Sequence, residues 1–145
     1  MTIERRRAAR LVVMGAEGSV LLLLHHDGHG RRFWATPGGG IEAGESPREA
    51  AQREALEELG LTEVDLQELW TDQVEFEIAD RSITQTETFF FVRTCADVVR
   101  CELNERLRAE GIEEFRWWKR DEMVDVDPPI FPSDLQSRLT AMLQE

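Results

Sequence analysis

Residues 39–61 read GGIEAGESPREAAQREALEELGL, and the fold is decided inside this stretch. Ser46 is a good helix N-cap, Pro47 suits the first helical position, and Glu49 stands three residues after Ser46 to complete a capping box. Gly60 then supplies the C-terminal stop, so the spacing predicts a helix over residues 47–59. On that helix Glu54, Glu57 and Glu58 lie at i, i+3 and i+4, within one arc roughly 100° wide. Like charges at these spacings cost an isolated helix a few tenths of a kcal/mol per pair. Arg48 and Arg53 are the basic residues available on the helix, and Arg53 is four residues from both Glu49 and Glu57. One arginine stabilises part of such a cluster without neutralising it. A hard divalent cation would do the rest, because Mg²⁺ takes carboxylate oxygens together with substrate phosphates. A Glu-rich helix face is by itself ordinary solvated surface. Here it follows a Gly38-Gly39-Gly40 loop, whose bare backbone can approach a metal closely, and the acidic Glu42 and Glu45.

Upstream, residues 10–14 and 19–24 are apolar and β-prone, separated by Gly15-Ala16-Glu17-Gly18, which reads as a hairpin. Residues 25–32 read as a surface loop, 33–36 as a short strand, and Pro37 with the three glycines as the end of regular structure. Downstream, residues 64–78 and 82–94 read as two strands joined near Ala79-Asp80-Arg81. Gln85, Glu87 and Phe89 share one face of the second and Thr86, Thr88 and Phe90 the other, while Phe89-Phe90-Phe91 implies burial on both faces. Residues 104–110 suit a short helix or a structured loop, 112–118 a strand, and 133–143 a closing helix with Ser133 and Gln136 as a second capping box. Mixed strands with helices before and after them predict an α/β (α+β) layered architecture.

The 145 residues carry no repeat or linker, so a single domain over residues 1–145 is expected. The net charge of −12 makes the chain a poor general binder of nucleic acid or anionic membranes. Lys119 is the only lysine and no Gly-rich loop precedes it, which excludes a phosphate-binding P-loop. Cys95 and Cys101 form neither a disulfide framework nor a zinc pattern and are read as reduced thiols. The Arg-rich start leads into an apolar run too short for a signal peptide or membrane span, so cytoplasm is the expected location.

From Gly39, five residues lead to Glu45 and seven more to Arg53-Glu54-Ala55-Leu56-Glu57-Glu58-Leu59-Gly60-Leu61. This resembles the Nudix box, with Ala55 in the first aliphatic slot; Trp34 to Gly40 and Arg116-Trp117-Trp118 extend the likeness. The resemblance implies a Nudix fold, a mixed β-sheet between helices, and a Mg²⁺- or Mn²⁺-dependent pyrophosphohydrolase. Such an enzyme cuts the diphosphate linkage of a small nucleotide to give a nucleoside monophosphate and the phosphorylated remainder. It implies metal ligands at Glu54, Glu57 and Glu58, with the Gly38 carbonyl as a further one. Arg53 would orient the glutamates and Glu45 would be its partner from the loop. A carboxylate must accept the proton of the attacking water; Glu54 is the first choice, with Glu113 and Glu114 as candidates for a distal base or ligand. A homodimer is compatible with the family. A catalytically silent nucleotide-binding regulatory module is the competing reading, against which the intact glutamate set argues.

Substrate markers are weaker. The Pro beyond the box associated with ADP-ribose, the Tyr associated with dinucleoside polyphosphates and the upstream coenzyme A motif are all missing, which favours a nucleoside or deoxynucleoside triphosphate. His25, His26 and His29 lack the helical spacing of zinc-protease ligands and, with Arg31 or Arg32, would instead meet phosphates. Trp34, Phe76, Phe89 and Trp117 are candidates for stacking on a base or for the core. Arg5-Arg6-Arg7 is expected to be a solvated terminus.

Overall fold

The computed structural model describes residues 3–78, 80–94, 99 and 102–143. The chain runs β1 (Ile3–Met14), β2 (Val20–His26), β3 (Arg32–Ala35), β4 (Gly38–Gly40), α1 (Pro47–Leu59), β5 (Gln67–Ile78), β6 (Arg81–Arg93), α2 (Glu105–Ala109) and β7 (Ile112–Trp118). A 3₁₀ turn (Arg120–Met123), β8 (Ile130–Phe131) and α3 (Leu135–Leu143) complete it. Strands are ordered β5-β6-β1-β2-β3-β8, with β4 beside β1 and β7 beside β2.

The centre of the sheet follows from β1. Ala9, Leu11 and Val13 alternate with Val12 and Met14, and all are buried, as a strand covered on both faces requires. The first set packs with Ala50, Ala51, Ala55 and Leu59 of α1 and with Leu21, Leu23 and Phe90. The second packs with Leu135 and Leu139 of α3 and with Trp34, Phe89 and Trp118. The sheet therefore lies between α1 and α3, the layered architecture expected. Each large side chain fully buried in these clusters contributes about 1.5–3 kcal/mol. Three alanines on α1 let the helix approach the sheet closely, which places its glutamates against β4.

α1 coincides with the helix expected from its caps. Glu49 N–H donates to Ser46 Oγ at 3.1 Å and Ser46 N–H to Glu49 Oε1 at 2.9 Å. Gly60 takes φ 70° and donates to Leu56 O. β7 also matches its expected span, and residues 104–110 resolve into a short helix with Asn104 accepting from Leu107 N–H at 2.9 Å.

Other expectations are corrected. Arg5-Arg6-Arg7 is solvent-exposed as expected but does not stand ahead of the first strand: it belongs to β1, which pairs in parallel with β6 from Ile3↔Ser82 to Met14↔Arg93. The three glycines form β4, paired as Ala8↔Gly40, Ala9↔Gly39 and Arg10↔Gly38; they continue the sheet because a side-chain-free strand fits beside β1. His25 and His26 end β2 instead of opening a loop. α3 begins at Leu135, so Ser133 and Gln136 do not occupy N-cap and N3, and Gln136 donates its amide to Arg120 O at 2.8 Å. Strand β8, two residues flanked by prolines, carries no periodicity and exists through its parallel pairing with β3. Cys95, Cys101 and the turn residue Ala79 lie outside the described residues.

Candidate active site

Arg53 organises the site. Its Nε and Nη2 donate to the two oxygens of Glu45 at 2.8 and 2.9 Å, and Nη2 also reaches Gly40 O at 2.9 Å. Nη1 donates to Glu54 Oε1 at 2.8 Å and to Glu57 Oε2 at 3.2 Å. One planar guanidinium thus ties the glycine strand, the loop before α1 and two helix glutamates together, which its fixed fork of donors allows. The Arg53 hydrogen bonds, aided by the Glu42 N–H, hold the Glu45 carboxyl down at about 2. Reciprocally, Glu45 above all pushes the Arg53 guanidinium upward.

Glu54 and Glu58 form the buried part of the cluster, 8% and 4% exposed. Glu58 accepts from Gly38 N–H at 2.7 Å. Burial first, and the Glu54 charge second, push its carboxyl up to about 8. Burial likewise raises Glu54, opposed by Arg53. Two carboxyls raised side by side disfavour both being charged at once. Glu57 is more open and also meets Arg106 Nη2 at 3.2 Å. Arg106 was not foreseen, because its relation to α1 depends on where α2 docks and leaves no local spacing signal.

The residues fit a divalent cation in chemistry. All the side-chain donors are hard oxygens, and two carboxylates buried side by side call for a proton or a cation. Among the described residues no three acidic, His or Cys side chains stand ready-made around one ion, since arginines hold Glu54 and Glu57.

The structure brings Glu45, Arg53, Glu54, Glu57, Glu58 and Gly38 together and leaves Glu114 apart. Along β7, Glu114 shares the face of Arg116 and Trp118, while Phe115 and Trp117 face the α1 cluster. Glu113 pairs with Arg32 at 2.8 Å.

A cleft of about 990 Å³ opens on the sheet face away from α1, with Arg10, Phe33, Phe76, Gln85, Glu87 and Phe131 in its wall. Phe33 and Phe131 meet edge to face at 5.7 Å. Of the aromatics considered for base stacking, Trp34 is core and Trp117 packs on the α1 cluster; Phe89 reaches the cleft floor from the core while almost fully buried, and Phe76 lines the cleft half-buried. His25 stacks on Phe33 at 5.2 Å, and burial ahead of the nearby Arg10 charge lowers it to about 4. The backbone N–H of His29 donates to Asp27 Oδ1 at 2.7 Å in the turn after β2, and among the described residues the three histidines gather in no group of metal-ligating side chains.

A Nudix domain model matches residues 4–137. The chain is 30% identical over 110 residues to an RNA pyrophosphohydrolase of Brucella ovis, covering 70% of this chain and 61% of that relative. It therefore spans about three fifths of the length of the curated relative it matches. The MutT protein from Methanosarcina mazei Go1 superposes with a TM-score of 0.72 at 19% identity over 100% of this chain and 99% of the other. A C. elegans Ap4A hydrolase binary complex gives 0.67 at 20% identity over 96% and 98%; at such identities these two likenesses establish a shared fold. The match over residues 4–137, with the mixed sheet between helices and the glutamates of α1 gathered on Arg53, makes this chain a member of the Nudix family.

Proposed function

We propose that this chain is a Mg²⁺-dependent pyrophosphohydrolase, active also with Mn²⁺, that cleaves a diphosphate linkage in a small nucleotide. A nucleoside or deoxynucleoside triphosphate is the substrate class it favours, giving a nucleoside monophosphate and pyrophosphate. The observation that carries this reading is the buried Glu54–Glu58 pair, Glu54 held by Arg53 and Glu58 by the Gly38 N–H, one strand from the cleft-lining Arg10. Glu54, Glu57, Glu58 and the Gly38 carbonyl would hold the metal. When bound, a divalent ion there would neutralise phosphate charge and make the attacking water more acidic.

The chain's own residues supply the rest. Arg53 sets the direction of Glu54 and Glu57, and Glu45 holds Arg53 to the loop. Glu54, nearly buried in the cluster and oriented by Arg53, takes the proton of the attacking water. Glu54 is preferred to Glu114 because it stands in the cluster on Arg53, whereas Glu114 neither joins the cluster nor lines the cleft. The complete glutamate set and its arginine support an enzyme over a silent binding module. The relatives named RNA pyrophosphohydrolase support a second reading, in which the same bond is cut at a 5′-triphosphate RNA end.

The test is phosphate release, with and without an added phosphatase, from a panel of nucleoside triphosphates, nucleotide sugars and 5′-triphosphate RNA in Mg²⁺ or Mn²⁺. Turnover of a triphosphate to monophosphate and pyrophosphate is expected; no turnover of any diphosphate-containing substrate refutes the activity.

A further inference from the structure

We infer that Arg10 is the phosphate-binding residue of the cleft, receiving a phosphate of a free nucleotide with its two terminal amines. The inference rests on the proposed activity and names the contact that aligns its substrate.

Arg10 lies on β1 opposite Gly38, whose N–H is held by Glu58, so it stands next to the glutamate site along the sheet. Its charge is felt at both Glu58 and His25. Alternation along β1 turns its side chain away from α1 and into the cleft wall. There Nε donates to Glu87 Oε2 at 3.1 Å, and Gln85 Nε2 donates to the same oxygen at 3.0 Å. This anchors the guanidinium plane from behind. The side chain is 21% exposed, yet its terminal amines make no hydrogen bond among the described residues. The amines face the cleft with no protein partner among the described residues, and a planar fork held by its Nε matches two phosphate oxygens.

The other cleft arginines differ. Arg138 is bound through Nη2 to Asp72 and through Nε to Asp134. Arg31 and Arg32, with side chains 83% and 52% exposed, have water for their free amines and are paired with Asp27 and Glu113. A nucleic-acid strand would need a row of uncommitted cations. Arg10 offers one, which suits a free nucleotide.

The test measures binding of the α,β-methylene analogues of ATP and GTP by calorimetry in EDTA, alongside steady-state kinetics in Mg²⁺. Arg10→Gln is expected to weaken the better-bound analogue about 10- to 100-fold and to raise KM more than it lowers kcat. Binding of the phosphate-free nucleoside should stay unchanged. Arg10→Lys should recover only part of the loss, because it restores charge without the fork. Glu87→Gln keeps an oxygen for Nε and removes a competing charge, so its affinity should equal or exceed wild type. Unchanged analogue binding by Arg10→Gln, an equal loss for the nucleoside, or a wild-type chain that binds neither analogue would overturn the inference. Wild-type binding without turnover would overturn the proposed activity alone.

Discussion

Replacing Gly39 by alanine tests whether the position of the Glu54 carboxylate matters. A Cβ at residue 39 would stand 2.7 Å from Glu54 Oε1 and 3.0 Å from its Cδ. Reaching an ordinary contact of 3.4 Å requires a retreat of roughly 0.7 Å. The carboxylate cannot swing away freely, because it is nearly buried and its Oε1 is held by Arg53 at 2.8 Å. Nor can β4 retreat easily, since it is paired with β1 and Ile41 N–H donates to Arg7 O. A misplacement approaching 1 Å at a reacting centre costs up to about 10²-fold, so kcat/KM should fall about 10- to 100-fold, or about 1.4–2.8 kcal/mol. The melting temperature should change little, because alanine also removes freedom from the unfolded chain. Gly40→Ala is the control: nothing lies within 4 Å of its Cβ, and it should keep wild-type activity. Gly38→Ala should fail differently, by unfolding, since φ is 140° and its methyl would run into the Ala9 carbonyl. Turnover and thermal melting of the three variants decide the matter. Full activity in Gly39→Ala, or an equal loss in Gly40→Ala, would refute the placement of Glu54.

Glu58→Gln should lose activity and yet stabilise the metal-free protein at alkaline pH. With Glu58 raised from 4.5 to about 8, the folded chain binds more protons than the unfolded one across that window. Wild-type stability therefore falls as pH rises through it, a loss on the order of a few kcal/mol that the glutamine variant lacks. Melting in EDTA at pH 5 and pH 8.5 checks this, and parallel curves for the two proteins would contradict it. Arg53→Lys keeps the charge but cannot hold both oxygens of Glu45 together with Glu54 and Glu57. Its kcat should drop about 10²-fold, with the mutant still folded by circular dichroism; a variant within twofold of wild type would show that Arg53 supplies charge alone.

The parts of this molecule legible in its sequence are those whose causes are local. α1 is bounded by contacts three or four residues long, Ser46 with Glu49 and Gly60 with Leu56, and the same short range places Glu54 and Glu57 under Arg53. β4 was opaque because three glycines carry no pattern, and only the register Ala8↔Gly40 to Arg10↔Gly38 makes them a strand. The place of Arg5-Arg6-Arg7 inside β1 was hidden for the same reason: its partners, Thr84 to Thr86, lie nearly eighty residues away. Arg10 combines both difficulties. Nothing near it in the chain distinguishes it from the arginines before it, and its neighbours Gln85, Glu87 and Gly38 come from two other strands. The division has a chemical consequence. The glutamates and arginine proposed to do the chemistry sit within one loop and one helix and can be specified by spacing, whereas the cleft is walled by residues of β1, β3, β5, β6 and β8, where a change in any strand alters its surface. The net charge of −12 follows the same division. It weighs against a nucleic-acid strand, and one guanidinium with terminal amines free among the described residues, beside an acidic cluster suited to a divalent cation, would turn an acidic chain toward a phosphorylated small molecule.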